Sequence, residues 1–346
     1  MKKKQTKRIL RIIFITASIA SLAFVPWILV KAWILPLPNT VQEQVEEAIA
    51  HGFDGMIVYV DEAGKPPAFY TGGWNNREHK IPADSKSLFK IGSITKLYVA
   101  VAATKLVKAN RLSLDKTVAD YFPELVGRIE NTDKITLRMM LQHRSGIPNF
   151  TNNPAFWLDP KDKKKEAIEY AIDLPTSFEP DNGYEYSNTN YLLISELIEK
   201  VVGYSHNQYI KEEILIPLKL NNTFGSINEV NLNDVMSGYY ADIKEDMKTN
   251  YSGLMIASAE DVGKFLRALN DGSVFKEGEQ EIYTSVYEYE HGGLLPGYQC
   301  LAEYHEDIDT VVVQFINTSN FEGYDWNLSE IIINRIVKIL KAKKSS

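Results

Sequence analysis

The stretch "GSITKLYVA", residues 92–100, places Ser93 and Lys96 three positions apart, just ahead of a long apolar run. A serine hydroxyl becomes a good nucleophile only when a nearby base takes its proton. A lysine can act as that base if it is close and neutral, and burial promotes the neutral form. Residues three apart on a helix share one face, so this pair can meet. The alternative interpretation is an N-cap serine followed by a solvated lysine, and the spacing alone does not separate the two.

The Ser-x-x-Lys spacing is common in this chain. It also occurs at Ser87/Lys90, Ser113/Lys116 and Ser273/Lys276. The first of these pairs lies in a strand-like segment, where residues three apart point to opposite faces, and the other two lie in polar or Gly-bounded loops. Ser93 instead follows Gly92 at the N-terminus of a predicted helix, where free backbone N–H groups can bind an oxyanion. The pair Ser93 and Lys96 is therefore the one with a geometry suited to catalysis.

Two further segments carry residues that could complete such a site. "YEYSNTNY" contains Tyr186 and Asn188 in the only Tyr-x-Asn of the chain, and "EHGGLLPGY" places His291 ahead of two glycines. Taken alone, Tyr186 would be a packing aromatic, Asn188 a turn residue and His291 a structural histidine. Their significance depends on whether they belong to a larger set of motifs in a fixed order along the chain.

The ordered set of motifs resembles the serine β-lactamase and penicillin-binding-protein family, in its class C and DD-carboxypeptidase branch. Besides the three segments above, the matching stretches are "LQHRSGIPNF", "YSNTNYLLISELIEKVVG", "EEILIPLKLNNT", "LMIASAEDVGKFLRAL" and "HGGLLPGYQ". The resemblance runs from about Val41 to the C-terminus. It implies a serine hydrolase that works through an acyl-enzyme and needs neither a metal nor an organic cofactor.

The resemblance also assigns roles. Ser93 would be acylated, and Lys96 and Tyr186 would share the proton transfers, although which of them acts as base is disputed within the family. Asn188, His291 and Gly293 would bind substrate, and the backbone N–H groups of Ser93 and Leu294 would form the oxyanion hole. His143, in "QHRSG", would be a structural residue outside the site.

The third motif departs from the family pattern. His291-Gly292-Gly293 stands where many relatives carry Lys-Thr-Gly, whose lysine supplies a permanent cation for a substrate carboxylate. A histidine is largely neutral at pH 7 unless a neighbour raises its pKa. Gly292 also removes the hydroxyl beside it. Both changes weaken the case for efficient β-lactam hydrolysis and leave acyl transfer intact.

Hydrophobic patterning predicts the elements that position these residues. Thr40 and Glu43 form a capping-box pattern that opens a helix. Strands are predicted at "GMIVYV", "AFYTGGW", "EIYTSVYEYE", "GYQCLAEY" and "DTVVVQFIN", and the chain ends in an amphipathic helix. The fold class is therefore α/β, with an antiparallel sheet flanked by N- and C-terminal helices and a mostly helical region inserted at about 115–245.

The first 38 residues differ from the rest of the chain in charge and in apolar character. Seven Lys and Arg residues and no acid occur among the first 31, which leaves −14 on the remainder of a chain whose formal charge is −7. Residues 12–30 are uncharged, a run of about 28 Å as a helix and enough to cross a bilayer core. We predict one transmembrane helix with a cytoplasmic basic start, a linker to residue 38 and an extracytoplasmic hydrolase domain at 39–346. The alternative is a cleaved signal peptide that ends near Ser21–Ala23.

The charge of −14 on the residues after position 31 argues against binding to nucleic acid. The single cysteine, Cys300, excludes an intrachain disulfide. The leading functional hypothesis is a membrane-anchored hydrolase of cell-wall D-alanine, either a DD-carboxypeptidase or a related penicillin-binding protein. The alternatives are an esterase of the same mechanism, for instance one that removes D-alanyl esters from teichoic acid, a β-lactamase, and a catalytically silent wall-binding protein. The expected partners are a cell-wall peptide or D-alanyl ester and the membrane.

Overall fold

The structure, a computed structural model, describes residues 2–158, 167–241, 243–250 and 254–344. Its strands are β1 (Gly55–Glu62), β2 (Ala68–Asn76), β3 (Ile81–Pro82), β4 (Phe89–Lys90), β5 (Thr223–Phe224), β6 (Tyr239–Tyr240), β7 (Ile256–Ala257), β8 (His291–Leu295), β9 (Tyr298–His305), β10 (Thr310–Ile316) and β11 (Thr318–Ser319). The helices of the described ranges are α1 (Lys2–Ser21), α2 (Trp27–Ile34), α3 (Val41–Ala50), α4 (Thr95–Lys108), α5 (Val118–Tyr121), α6 (Leu137–Leu141), α7 (Pro154–Leu158), α8 (Asn188–Val202), α9 (His206–Ile210), α10 (Ala259–Asn270), α11 (Glu279–Thr284) and α12 (Asp325–Lys344).

An antiparallel sheet of six strands forms the centre of the fold, in the order β3-β2-β1-β10-β9-β8. It is built from segments near both ends of the chain, because β1 pairs with β10 in the register Met56 to Ile316. The helical segments between them are inserted between β2 and β8. The predicted α/β class with an antiparallel sheet is confirmed.

Alternate residues of the sheet face two different layers, as the period of two in a strand requires. On one face, Met56, Val58 and Val60 of β1 pack in a cluster with residues of α3 and α12. On the other face, Ile57 and Tyr59 join the larger core that contains α4, α8 and α10. The terminal helices therefore cover one side of the sheet and the helical region the other. The capping box that opens α3 is present, with Thr40 and Glu43 in the predicted roles.

One predicted strand is wrong. The segment "EIYTSVYEYE" forms most of helix α11 and the turn after it, and the strand β8 begins only at His291. Tyr283, a residue with high strand propensity, is fully buried in this helix. An ion pair between Lys105 and Glu279, 2.9 Å apart and buried, ties the start of α11 to α4. Tertiary packing overrides local propensity here.

The N-terminal run does not form a single membrane-spanning helix. Helix α1 ends at Ser21, α2 begins at Trp27, and the two meet at a bend of 80°. Within the described residues, no one helix is long and apolar enough to cross a bilayer, while the bent pair is sufficient by length and composition. The division of the chain at residues 38 and 39 stays a prediction.

Candidate active site

Ser93 lies in a tight turn between the short strand β4 and helix α4, most of whose residues are buried. The chain leaves β4, makes a 3₁₀ turn at Gly92–Ile94 and continues directly into α4. Gly92 has a φ of +50°, which favours glycine, and a Cβ there would lie 3.3 Å from the backbone nitrogen of Leu294. The turn that carries Ser93 is thus pressed against β8, as a shared oxyanion hole would require.

Lys96 is held next to Ser93 by burial and by a polar partner. Its Nζ lies 3.2 Å from Ser93 Oγ and 2.6 Å from Asn188 Oδ1, and the residue is 6% exposed. Burial lowers the pKa of Lys96 to about 7, while the carboxylate of Glu288 opposes the shift. A substantial fraction of Lys96 is therefore neutral at pH 7 and able to accept a proton.

Tyr186 approaches the same hydroxyl from another element. Its phenol donates a hydrogen bond of 2.6 Å to Ser93 Oγ, and the Lys96 ammonium lies 4.7 Å from the centre of its ring. Burial raises the pKa of Tyr186 above its ordinary value, with the hydrogen bond between Tyr186 and Ser93 acting in the opposite direction. Tyr186 is consequently protonated at neutral pH.

Asn188 is the first residue of α8 and orients Lys96. Its side-chain nitrogen donates to Asn149 Oδ1 at 3.3 Å and to Thr151 Oγ1 at 3.0 Å, so its oxygen faces Lys96. In this arrangement both amide hydrogens are directed at protein groups. The structure therefore gives Asn188 a positioning role, and its contact with a substrate amide stays a prediction.

His143 was expected to lie outside the site, and it is not among the residues that contact Ser93. It supports the site from behind: its Nδ1 accepts a hydrogen bond of 3.1 Å from the backbone N–H of Ser187, and its ring lies 4.6 Å from that of Tyr186. Burial and the nearby Lys96 lower the pKa of His143 to about 3. It is a neutral positioning residue.

His291 stands at the start of β8 and does not supply a cation. Burial, followed by repulsion from Lys96, lowers its pKa to about 4. Its Nε2 lies 3.3 Å from a carboxylate oxygen of Glu288, and its ring is 6.1 Å from that of Tyr186. The imidazole is neutral at pH 7. This agrees with the expectation that position 291 supplies no permanent cation for a substrate carboxylate.

The two glycines after His291 are crowded for different reasons. A Cβ at Gly293 would lie 2.3 Å from the carbonyl oxygen of Ile91, so only glycine lets β8 approach the nucleophile turn this closely. A Cβ at Gly292 would lie 2.5 Å from the ring of Trp326 in α12. Trp326 thus fills the space beside Gly292.

A cavity of about 570 Å³ opens over these residues. It is lined by the predicted residues Ser93, Lys96, Tyr186, Asn188, His291 and Leu294, whereas Gly293, also predicted to bind substrate, is not among the lining residues. Its remaining walls include aromatic residues that sequence analysis missed, namely Phe150, Phe156, Trp157, Phe321 and Trp326. The segment "NPAFWL" and the tryptophan of "GYDWNLSE" were the available signals. The described part of the chain contains no cluster of three His, Cys, Asp or Glu residues placed to bind a metal.

The site consists of a serine nucleophile between a buried lysine and a tyrosine, in a turn that packs against strand β8. This arrangement indicates the class of protein. The chain matches the family model for beta-lactamase over residues 38–290, which is most of its length, and it belongs to the β-lactamase family. It is a serine hydrolase of that family, which includes the penicillin-binding proteins. The third motif lies immediately beyond the matched range.

Three relatives illustrate the likeness. PbpX of Bacillus subtilis (strain 168), a provisionally assigned penicillin-binding protein, is 25% identical over 297 residues, 78% of this chain and 72% of that protein. Penicillin-binding protein 4* of the same organism is 28% identical over 180 residues, 50% of this chain, but only 38% of that protein is covered. The D-amino acid amidase of Ochrobactrum anthropi SV3 shares the fold, with a TM-score of 0.77, 21% identity, and coverage of 89% of this chain and 99% of the amidase.

Proposed function

We propose that the chain hydrolyses its substrate through an acyl-enzyme on Ser93. The observation that carries this proposal is the convergence of Lys96 and Tyr186 on one hydroxyl, at 3.2 Å and 2.6 Å. Ser93 Oγ attacks the substrate carbonyl, its proton passes to neutral Lys96, and the bond to the leaving group breaks as that group takes a proton from Tyr186. Lys96 then returns its proton to Tyr186. Water then attacks the acyl-enzyme, the proton transfers run in the reverse order, and the acid is released from Ser93.

The pKa shifts favour Lys96 over Tyr186 as the base in the free enzyme. Lys96 loses its proton near pH 7, whereas the pKa of Tyr186 is raised above its usual value. A base is most effective when its pKa lies close to the working pH. Tyr186 is then a proton donor and relay, which agrees with the hydrogen bond that it donates to Ser93.

We propose cell-wall D-alanine as the target, in the manner of a DD-carboxypeptidase or related penicillin-binding protein. The family and the named penicillin-binding relatives support this choice. A second candidate is an esterase of the same mechanism, such as a D-alanyl esterase of teichoic acid. The neutral imidazole of His291 and the apolar Trp326 beside Gly292 favour it, since neither attracts a free carboxylate. The same features disfavour a β-lactamase, and the assembled site disfavours a catalytically silent wall-binding protein.

We also propose that the N-terminus attaches the hydrolase to a membrane, with the catalytic domain outside. Of the 26 large apolar side chains that are exposed among the described residues, 14 lie between Ile9 and Leu37. A cluster of this size normally has an apolar partner. The basic residues that precede it favour the cytoplasmic side. The uncharged stretch from Ile12 to Phe24 is only about 20 Å long as a helix, so Arg8 and Arg11 would extend toward the headgroups.

Release of D-alanine tests the substrate. The full chain in detergent and its Ser93→Ala variant are incubated with cell walls that retain teichoic acid esters and with walls stripped of esters by mild base. Ser93-dependent release from both preparations identifies a peptidase, and release from unstripped walls alone identifies the esterase. Release from neither overturns the D-alanine proposal, and labelling of Ser93 by a fluorophosphonate then decides whether the acyl-enzyme mechanism survives.

A further inference from the structure

The break between α1 and α2 has a specific cause. In a continuous helix the backbone N–H of residue 26 would donate to the carbonyl of Leu22, but Pro26 has no N–H. The Leu22 carbonyl accepts instead from the backbone N–H of Val25 at 3.3 Å and from the indole Nε1 of Trp27 at 2.9 Å. The bend of 80° is therefore held by a hydrogen bond of its own, and α2 leaves α1 almost at a right angle.

Helix α2 has one face on the protein and one face that is largely exposed among the described residues. Ala32 is 1% exposed and, with Leu29, packs in the cluster of α3 and α12 under the sheet. Trp27 and Ile34 point the other way and are 55% and 66% exposed, with Lys31 between them on the same face. A tryptophan and a lysine on an exposed apolar face are typical of helices at the boundary of lipid and water.

The segment after α2, predicted to be a simple linker, is fixed to the catalytic domain. The guanidinium of Arg335, in α12, donates to the carbonyl oxygens of Leu35 and Pro36 at 2.8 Å and 2.9 Å. The same side chain donates to Gln44 and pairs with Glu47 in α3, and Arg335 is 5% exposed. Arg335 thus joins the end of α2, helix α3 and helix α12 into one unit.

We propose that the exposed face of α2 lies in the headgroup layer of a lipid bilayer and that Arg335 holds the catalytic domain at a set position on that surface. The proposal rests on the membrane attachment proposed above. A bend of 80° places α2 along the surface when α1 enters the bilayer. Trp326, which lines the cavity, precedes Arg335 by nine residues in α12, about 14 Å along the helix axis. The active site is therefore kept near the membrane and acts on acyl groups close to it.

Depth measurements on the full chain test the position of α2. Single cysteines are introduced at Ile34 in α2, at Ile19 near the middle of the stretch from Ile12 to Phe24, and at Leu174 on the exposed surface of the catalytic domain, each labelled with a nitroxide. The native chain serves as the labelling blank, because Cys300 is buried. The proteins are reconstituted in vesicles of phosphatidylcholine with a minority of phosphatidylglycerol, and collisions with oxygen and with a water-soluble nickel complex report depth.

We expect position 34 at the boundary of headgroups and acyl chains, position 19 deeper and position 174 in water. A label at position 34 as deep as that at position 19 would mean that the two helices straighten into one span. A label at position 34 as accessible to the nickel complex as that at position 174 would mean that α2 leaves the surface. Either result overturns the inference while the attachment stands. Failure of the chain to float with vesicles overturns the attachment itself and, with it, the inference.

A matched pair of variants tests the role of Arg335. Arg335→Lys keeps the positive charge beside Glu47 but loses the forked donor that reaches two carbonyls. Lys338→Arg changes an exposed residue of the same helix in the reverse direction. The spectrum of the label at position 34 is expected to become more mobile in Arg335→Lys and to stay unchanged in Lys338→Arg, with melting temperature and Ser93 labelling confirming the fold. Equal spectra in both variants would show that Arg335 does not hold α2.

Discussion

The pH dependence of acylation gives the sharpest test of the proposed base. Only neutral Lys96 can accept the Ser93 proton, and its pKa is lowered to about 7 by burial. The neutral fraction is then about one half at pH 7, one eleventh at pH 6 and one hundredth at pH 5. We therefore expect kcat/KM to fall about tenfold for each pH unit below 7 and to level off above pH 8. An ordinary lysine would instead place the inflection above pH 10.

Few other groups at the site can imitate this profile. His143 and His291, with pKa values lowered to about 3 and 4, stay neutral from pH 5 to 8. Lys90 is the confounding group, because burial lowers its pKa to about 7 as well, and it contacts the carbonyls of Met247 and Asn250 rather than Ser93. The Lys90→Gln variant is therefore the matched control.

The assay measures kcat/KM for a chromogenic ester that carries no ionisable group between pH 5 and 9, in parallel with the rate of fluorophosphonate labelling of Ser93. The inflection near pH 7 should persist in Lys90→Gln. A profile that is flat between pH 5 and 8 in the native chain would refute Lys96 as the base. Loss of the inflection in Lys90→Gln would assign it to a structural transition outside the site.

Three other changes have defined outcomes. Glu288→Gln removes the carboxylate that favours protonated Lys96, so the inflection should move below pH 7 in the same assay. Gly293→Ala places a Cβ within 2.3 Å of a backbone carbonyl of the nucleophile turn and should lower kcat/KM by about a hundredfold, because the oxyanion donors shift; near-native activity would contradict this. Glu279→Gln leaves a buried lysine of α4 without its counter-ion and should destabilise the fold by about 3–5 kcal/mol in urea unfolding, whereas Glu179→Gln, in an exposed pair, should cost less than about 1 kcal/mol.

The reactive residues of the site could be found from the sequence for two reasons. Each pair lies within a few positions in the chain, and the motifs follow one another in the order typical of the family. Ser93 and Lys96 share one turn, and Tyr186 with Asn188 marks the start of a single helix. Such patterns depend on helix geometry, which the sequence specifies well. The sheet could be predicted because "GMIVYV" and "DTVVVQFIN" are short apolar runs rich in β-branched residues, which is typical of strands buried on both faces.

The parts that could not be predicted depend on contacts between distant segments. Trp326 is separated from Gly292 by 34 positions, and nothing in "GYDWNLSE" indicates that its ring fills the space beside a glycine. The segment "EIYTSVYEYE", expected to be a strand, instead contributes to helix α11, whose Tyr283 is fully buried and whose first residue, Glu279, pairs with Lys105 of α4. The membrane helix expected at residues 12–30 is interrupted next to Pro26, where a kink could be expected from the sequence, but the hydrogen bond from the Trp27 indole to the Leu22 carbonyl is a contact that hydropathy does not register.

One physical cause links the base to the altered third motif. The burial that lowers the pKa of Lys96 also lowers that of His291, and repulsion between the two groups disfavours charging both. When Lys96 accepts the proton of Ser93, the new charge makes a second cation at position 291 still less favourable. A permanently charged lysine in this buried position would oppose that same proton transfer unless a substrate carboxylate neutralised it. A site with neutral His291 has no such requirement, and its chemistry can therefore proceed on acyl donors that carry no negative charge.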